Sequence, residues 1–204
     1  MKKILLSIAL VISAGIGAKA QTPKTDLRPD ETVLLYTDTF SGSPDPVYAE
    51  KITSAGFEMA VDNKVEKPES IGEGGDLSDI SGMARIDLYF PKKPNGQMIV
   101  VCPGGGYRYA ASFREGLYVA EWMLERGITV AVVKYRIPNG HCTVPLTDVQ
   151  NAFRYCRAHA QEWNVDQIGV MGFSAGGHLA ASAATLWVDE IARPGFSVLI
   201  YPGI

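Results

Sequence analysis

The chain has 204 residues, 47% of them hydrophobic and 20% charged, which supplies enough apolar material for a packed domain and too much for a disordered one. Its formal charge of -3 contains no basic stripe, which argues against a nucleic-acid partner. Three cysteines cannot all pair internally, and neither they nor the three scattered histidines show zinc-ligand spacing, so no metal and no cofactor is expected.

The N-terminus reads as a secretory leader over residues 1–20. MKK supplies positive charge, ILLSIALVISAGIG an apolar core, and Ala18, Lys19 and Ala20 a small-x-small cleavage site before Gln21. The apolar core is shorter than the roughly 20 residues of a spanning helix and runs into Gly15 and Gly17. Export to the periplasm or medium follows, without stable membrane insertion after cleavage. Loss of the leader leaves 16 basic against 22 acidic residues, a formal charge of -6. Export permits disulfides but does not require them; Cys102 and Cys156 read as small buried hydrophobes, Cys142 as a loop residue.

Residues 21–80 form an irregular lead-in. ETVLLYTDTF (31–40) and KITSAGFEMAV (51–61) can each hold an edge strand, but SGSPDP and KPESIGEGGDLSD interrupt them with turn formers. From residue 81 the pattern sharpens. ARIDLYF (84–90) alternates, with Arg85, Asp87 and Tyr89 on its wetter face. QMIVVC (97–102), ITVAVVKY (128–135), IGVMGF (168–173) and FSVLIY (196–201) are continuous apolar runs, the signature of strands covered on both faces.

Helical periodicity fills the intervals. Residues 112–127 place Leu117, Ala120, Trp122, Met123 and Leu124 on one side and stop at Gly127. Residues 145–163 repeat Leu146, Val149, Phe153 and Cys156 at three- and four-residue spacing, and a third helix runs from just after Ser174 to about Val188. Strands and helices alternating in this way imply an α/β fold with a mainly parallel central sheet.

Two motifs carry chemistry. GFSAGG (172–177) follows a buried strand and precedes the small-residue run HLAASAA, the setting of a nucleophile elbow that lifts the Ser174 hydroxyl clear of the sheet. PGGGY (103–107) follows another buried strand and bares main-chain N–H groups. Gly105 or Gly106 would supply one oxyanion donor and Ala175 the other. A phosphate cradle is the rival reading of the glycine loop, but the lysine and hydroxyl of a P-loop are missing. Tyr107, Arg108 and Tyr109 are the candidate substrate-binding residues beside it.

Other polar residues read more quietly. Arg114 and Glu115 form a solvated pair, Asp148 caps or anchors its helix, His159 is solvated, His178 packs or supports the site from one turn beyond Ser174, and His141 sits in a mobile turn from which it could approach a substrate.

CPGGGY, ITVAVVKYRIP, VPLTDVQNAFRYCRAHAQEWNVD, IGVMGFSAGGHLAA and RPGFSVLIYP together resemble the α/β-hydrolase superfamily, over residues 81–204. More narrowly they are similar to bacterial carbohydrate esterases of the acetyl xylan esterase and feruloyl esterase kind. Arg114 stands where such esterases often have histidine. The resemblance implies a three-layer sandwich and a Ser-Asp-His triad with Ser174 as nucleophile, acting on an acylated carbohydrate. Its Asp and His come after later strands, so the sequence is expected to stop short of them, just after the strand that follows the elbow. A prolyl-oligopeptidase-like serine peptidase, which shares the elbow, and an inactive relative that only binds a sugar or partner remain as alternatives. For the leader, N-terminal sequencing of exported protein is expected to begin at Gln21; material retaining Met1 would contradict cleavage.

Overall fold

The computed structural model describes residues 25–36, 70–71, 76–78, 80, 84–138 and 142–203; the leader, the strand expected within 51–61 and His141 lie outside the described residues. In chain order the elements are β1 (Glu31–Leu34), β2 (Ser70–Ile71), β3 (Leu77–Ser78), β4 (Arg85–Tyr89), β5 (Gln97–Cys102), β6 (Tyr109–Ala110), a π-helical turn (Phe113–Leu117) that runs into α1 (Tyr118–Leu124), β7 (Thr129–Lys134), α2 (Thr143–His159), β8 (Gln167–Phe173), α3 (Ala175–Thr185) and β9 (Ser197–Ile200).

Six strands form the central sheet in the order β1-β4-β7-β5-β8-β9. β7, β5, β8 and β9 pair in parallel, while β4 runs antiparallel between β1 and β7. The alternation of side chains along each strand divides the core. Met98, Val100 and Cys102 of β5 point with Ile168 and Val170 of β8 toward Val149, Phe153 and Cys156 of α2 and Leu179 and Ala183 of α3. Ile99 and Val101 join Val130, Val132 and Met171 against Leu117, Ala120 and Met123 on the opposite face. Each fully buried Val, Leu or Phe contributes about 1.5–3 kcal/mol, which explains why the apolar runs of β5, β7 and β8 sit at the centre of the sheet. The result is a three-layer α/β sandwich with a mostly parallel sheet. Cys102 and Cys156 are buried within it, as expected.

Four details differ from the sequence pattern. β9, expected to be covered on both faces, is an edge strand that leaves Val198 and Leu199 exposed, because among the described residues only β8 pairs with it. The wetter face of β4 is covered: Asp87 and Tyr89 are buried, and Asp87 takes an ion pair from Lys134 and a 2.7 Å hydrogen bond from Thr32 Oγ1. Cross-strand partners on β7 and β1 satisfy a carboxylate that would otherwise seek water. Trp122 is 52% exposed and stacks beneath the Arg126 guanidinium, because it lies about 100° around α1 from the buried Met123. α2 ends at His159 instead of Trp163, where the chain turns through a left-handed Asn164.

Asp148 anchors more than its own helix. Its carboxylate accepts the Arg136 backbone N–H at 2.8 Å and the Arg136 guanidinium at 2.7 Å, and Tyr36 donates its hydroxyl to the same group. Burial alone would pull the Arg136 guanidinium down; Asp148 and Tyr36 outweigh it and hold that group above its ordinary value. The triad fastens the segment after β7 to α2 and to the chain leaving β1. Asp148→Ala should cost about 3–5 kcal/mol in urea unfolding, since it strands a buried guanidinium. A loss below about 1 kcal/mol would mean that water reaches Arg136 in solution.

Candidate active site

The register of β5 against β8 places Cys102 opposite Gly172, so the glycine loop and the serine turn leave the sheet side by side. Ser174 bridges β8 and α3 with φ 50° and ψ -119°, a left-handed conformation in which a side chain is strained. Its N–H donates to Ile200 O at 3.0 Å on β9, and its carbonyl accepts the amides of His178 and Gly203 at 3.0 and 2.9 Å. Gly172 and Gly176 make the turn possible by close approach. A Cβ on Gly172 would stand 2.0 Å from Gly176 O, and one on Gly176 would stand 2.1 Å from Cys102 O. This is the strand-turn-helix geometry of a nucleophile elbow.

The facing loop is held at both ends. Pro103 O accepts the buried Tyr135 hydroxyl at 2.6 Å, Gly104 O accepts the Ala111 amide at 2.9 Å, and Gly105 O accepts the Arg108 amide at 3.1 Å. Gly105 has φ 136° and Gly106 φ 62°, and their amides donate to no other described residue. A Cβ on Gly104 would lie 3.1 Å from Ser174 Cβ, so this loop packs directly against the serine. Of the sequence-derived set, Ser174 and Ala175 form the elbow and the start of α3, and Gly105 and Gly106 follow Gly104 in the adjoining loop with amides that donate to no other described residue.

Tyr107, Arg108 and Tyr109 part company. Tyr107 is half-buried, has φ 57°, and exchanges a 2.8 Å hydrogen bond with His178 Nδ1. Burial pushes its phenol above the ordinary range. Together with His178 it lines a cavity of about 430 Å³ whose walls include Pro138, Cys142, Leu146 and Leu186. Arg108 and Tyr109 are exposed and lie outside that lining; Tyr109 instead belongs to β6, which pairs with β3.

Two expectations about charged or titratable residues need correction. Glu115 is not one of a solvated pair: it accepts the Gly104 amide at 2.6 Å and the Tyr201 hydroxyl at 2.5 Å, while Arg114 turns to Asp76 at 3.0 Å. Burial and the Glu115 carboxylate push the Tyr201 phenol up to about 12. His159 is half-buried, bonded to Tyr155 O and stacked between Tyr155 and Trp163, because the turn ending α2 brings Trp163 back beside it. Sequence reasoning missed the role of Glu115, although the neighbouring Gly116 carried a signal. A Cβ there would meet Val132 Cγ1 at 2.7 Å, so this turn is pressed onto the sheet. Among the described residues, no group of three or more His, Cys, Asp or Glu is placed to hold a metal ion, and no helix is long and apolar enough to cross a membrane.

Known proteins share this fold. The chain is 43% identical over 130 residues to the acetylxylan esterase of Xylanibacter ruminicola, covering 63% of this chain and 27% of that protein. Its fold matches the acetyl ester-xyloside bifunctional hydrolase of Caldicellulosiruptor lactoaceticus with a TM-score of 0.53 and 34% identity, over 59% of this chain and 49% of the other. A sugar hydrolase from Lactococcus lactis matches with a TM-score of 0.53 and 30% identity, over 66% and 53%. The chain therefore spans about a quarter of that curated relative and about half of those solved chains. The family model for BD-FAE matches residues 86–192, the stretch holding both the glycine loop and the serine elbow, and the chain belongs to this family of the α/β-hydrolase fold, related to bacterial acetylxylan esterases.

Proposed function

We propose that the protein is a serine carboxylic-ester hydrolase that removes acyl groups, acetyl or feruloyl, from plant polysaccharide or its oligosaccharides. One observation carries the reading: a strained serine at an elbow, packed against a glycine loop whose Gly105 and Gly106 amides donate to no other described residue. The likeness to an acetylxylan esterase and to an acetyl ester-xyloside hydrolase supports a sugar ester as substrate. The leader-like residues 1–20 support action outside the cytoplasm.

In this mechanism a base takes the Ser174 proton as the oxygen attacks the ester carbonyl, and the tetrahedral oxyanion is held by the Ala175 amide and one glycine-loop amide. The tetrahedral intermediate collapses by breaking its bond to the sugar oxygen, which takes the proton from the base and leaves as the free hydroxyl. Water then attacks the acyl-enzyme and frees the acid, restoring the Ser174 hydroxyl. Preorganised amides stabilise charge only as it develops, so their contribution falls on kcat. His178 is already engaged with Tyr107, and His159 is stacked beside Trp163 at the far end of α2. The Ser-Asp-His order implied by the family resemblance assigns the acid and base to positions downstream of the elbow and its following strand.

The test is turnover of 4-nitrophenyl acetate and acetylated xylo-oligosaccharide by the protein at its native length. Ser174→Ala should lower kcat by at least about 10³-fold without unfolding the protein; an unchanged rate would overturn the assignment. Gly105→Ala should lower kcat by about 10²–10³-fold, because a Cβ there would stand 2.0 Å from Tyr109 O and displace the loop. A normal kcat in that variant would remove this loop from the oxyanion site.

A further inference from the structure

We infer that Glu115 is a positioning residue for the oxyanion site: its carboxylate locks the Pro103-Gly104 peptide so that the next amides face Ser174. The inference rests on the reading of Ser174 as an acyl-transfer nucleophile. That peptide is held at opposite ends, with its carbonyl accepting the Tyr135 hydroxyl at 2.6 Å and its N–H donating to Glu115 Oε2 at 2.6 Å. The second bond is charge-assisted, about twice as strong as a neutral one. It also consumes the Gly104 amide, which leaves Gly105 and Gly106 as the donors of this loop.

The carboxylate reaches the loop because of its own unusual backbone. Glu115 sits in the middle of the π-helical turn Phe113–Leu117, and such turns gather at functional sites because the widened turn re-aims side chains. Gly116 presses that turn against Val132, while Asp76 grips it from outside by accepting the Phe113 amide at 3.0 Å and the Arg114 guanidinium at 3.0 Å. The other carboxylate oxygen accepts the hydroxyl of Tyr201, one residue beyond β9. β9 in turn holds the Ser174 amide through Ile200 O. One carboxylate thus ties the oxyanion loop to the strand that fixes the elbow.

The experiment uses the protein at its native length with Glu115→Gln, Glu115→Ala and Tyr201→Phe. Hydrogen exchange of the segment 103–112 is followed by mass spectrometry beside that of 168–177, together with melting temperature and ester kinetics. Glu115→Ala should speed exchange in 103–112 about tenfold while sparing 168–177, and lower kcat about 30- to 100-fold with KM within about twofold. Glu115→Gln, which keeps the shape and one acceptor, should show a smaller effect of the same kind, and Tyr201→Phe a smaller one still. Unchanged exchange in 103–112, a loss confined to KM, or exchange raised equally throughout would overturn the inference. If the native-length protein hydrolyses no ester, the esterase reading fails while the exchange measurement still decides whether Glu115 fixes this loop.

Discussion

The close passage of α3 over the end of β5 is the constraint on which the site depends. The Gly176 position lies where any side chain would collide with the Cys102 and Pro103 carbonyls, so the first turn of α3 rests on the strand that launches the glycine loop. Move that helix outward and Ser174 leaves the loop, the Gly172 turn opens, and the Ile200 bond to its amide is lost. The serine's positive φ persists because these contacts over-determine it; the strain is offset by sheet pairing on both sides of β8.

Around that contact the polar groups serve as fasteners at the ends of the sheet. Tyr135, at the exit of β7, reaches Pro103; Asp148 of α2 holds Arg136 one residue further along; Glu115 holds Gly104 and Tyr201. Each grips the chain where a strand turns into a loop, where backbone groups lose their sheet partners and require others. The apolar core fixes where the strands lie, and these bonds fix how the loops leave them.

How much of this could be read from the residues follows from the range of each interaction. The strands β5, β7 and β8 were legible because burial on both faces writes itself as an uninterrupted apolar run. The elbow was legible because its constraint is local: Gly172, Ser174 and Gly176 meet within five positions. Glu115 was not, since its partners are a backbone amide eleven residues earlier and a phenol 86 residues later. Asp87 misled for a related reason, because alternation identifies a polar face but not the Lys134 that covers it from the next strand. Trp122 and His159 failed in opposite directions, one outside the stripe that the period drew and the other folded back under Trp163 by a turn at Asn164.

The central claim is that Ser174 and the glycine loop form one acyl-transfer site, and the most direct measurement is a crystal structure of the native-length protein after reaction with an organophosphonate. The account predicts a single adduct on Ser174 Oγ, with its phosphoryl oxygen within hydrogen-bond distance of the Ala175 amide and of the Gly105 or Gly106 amide. An adduct on another residue, or a phosphoryl oxygen bound to neither loop nor elbow, would contradict it.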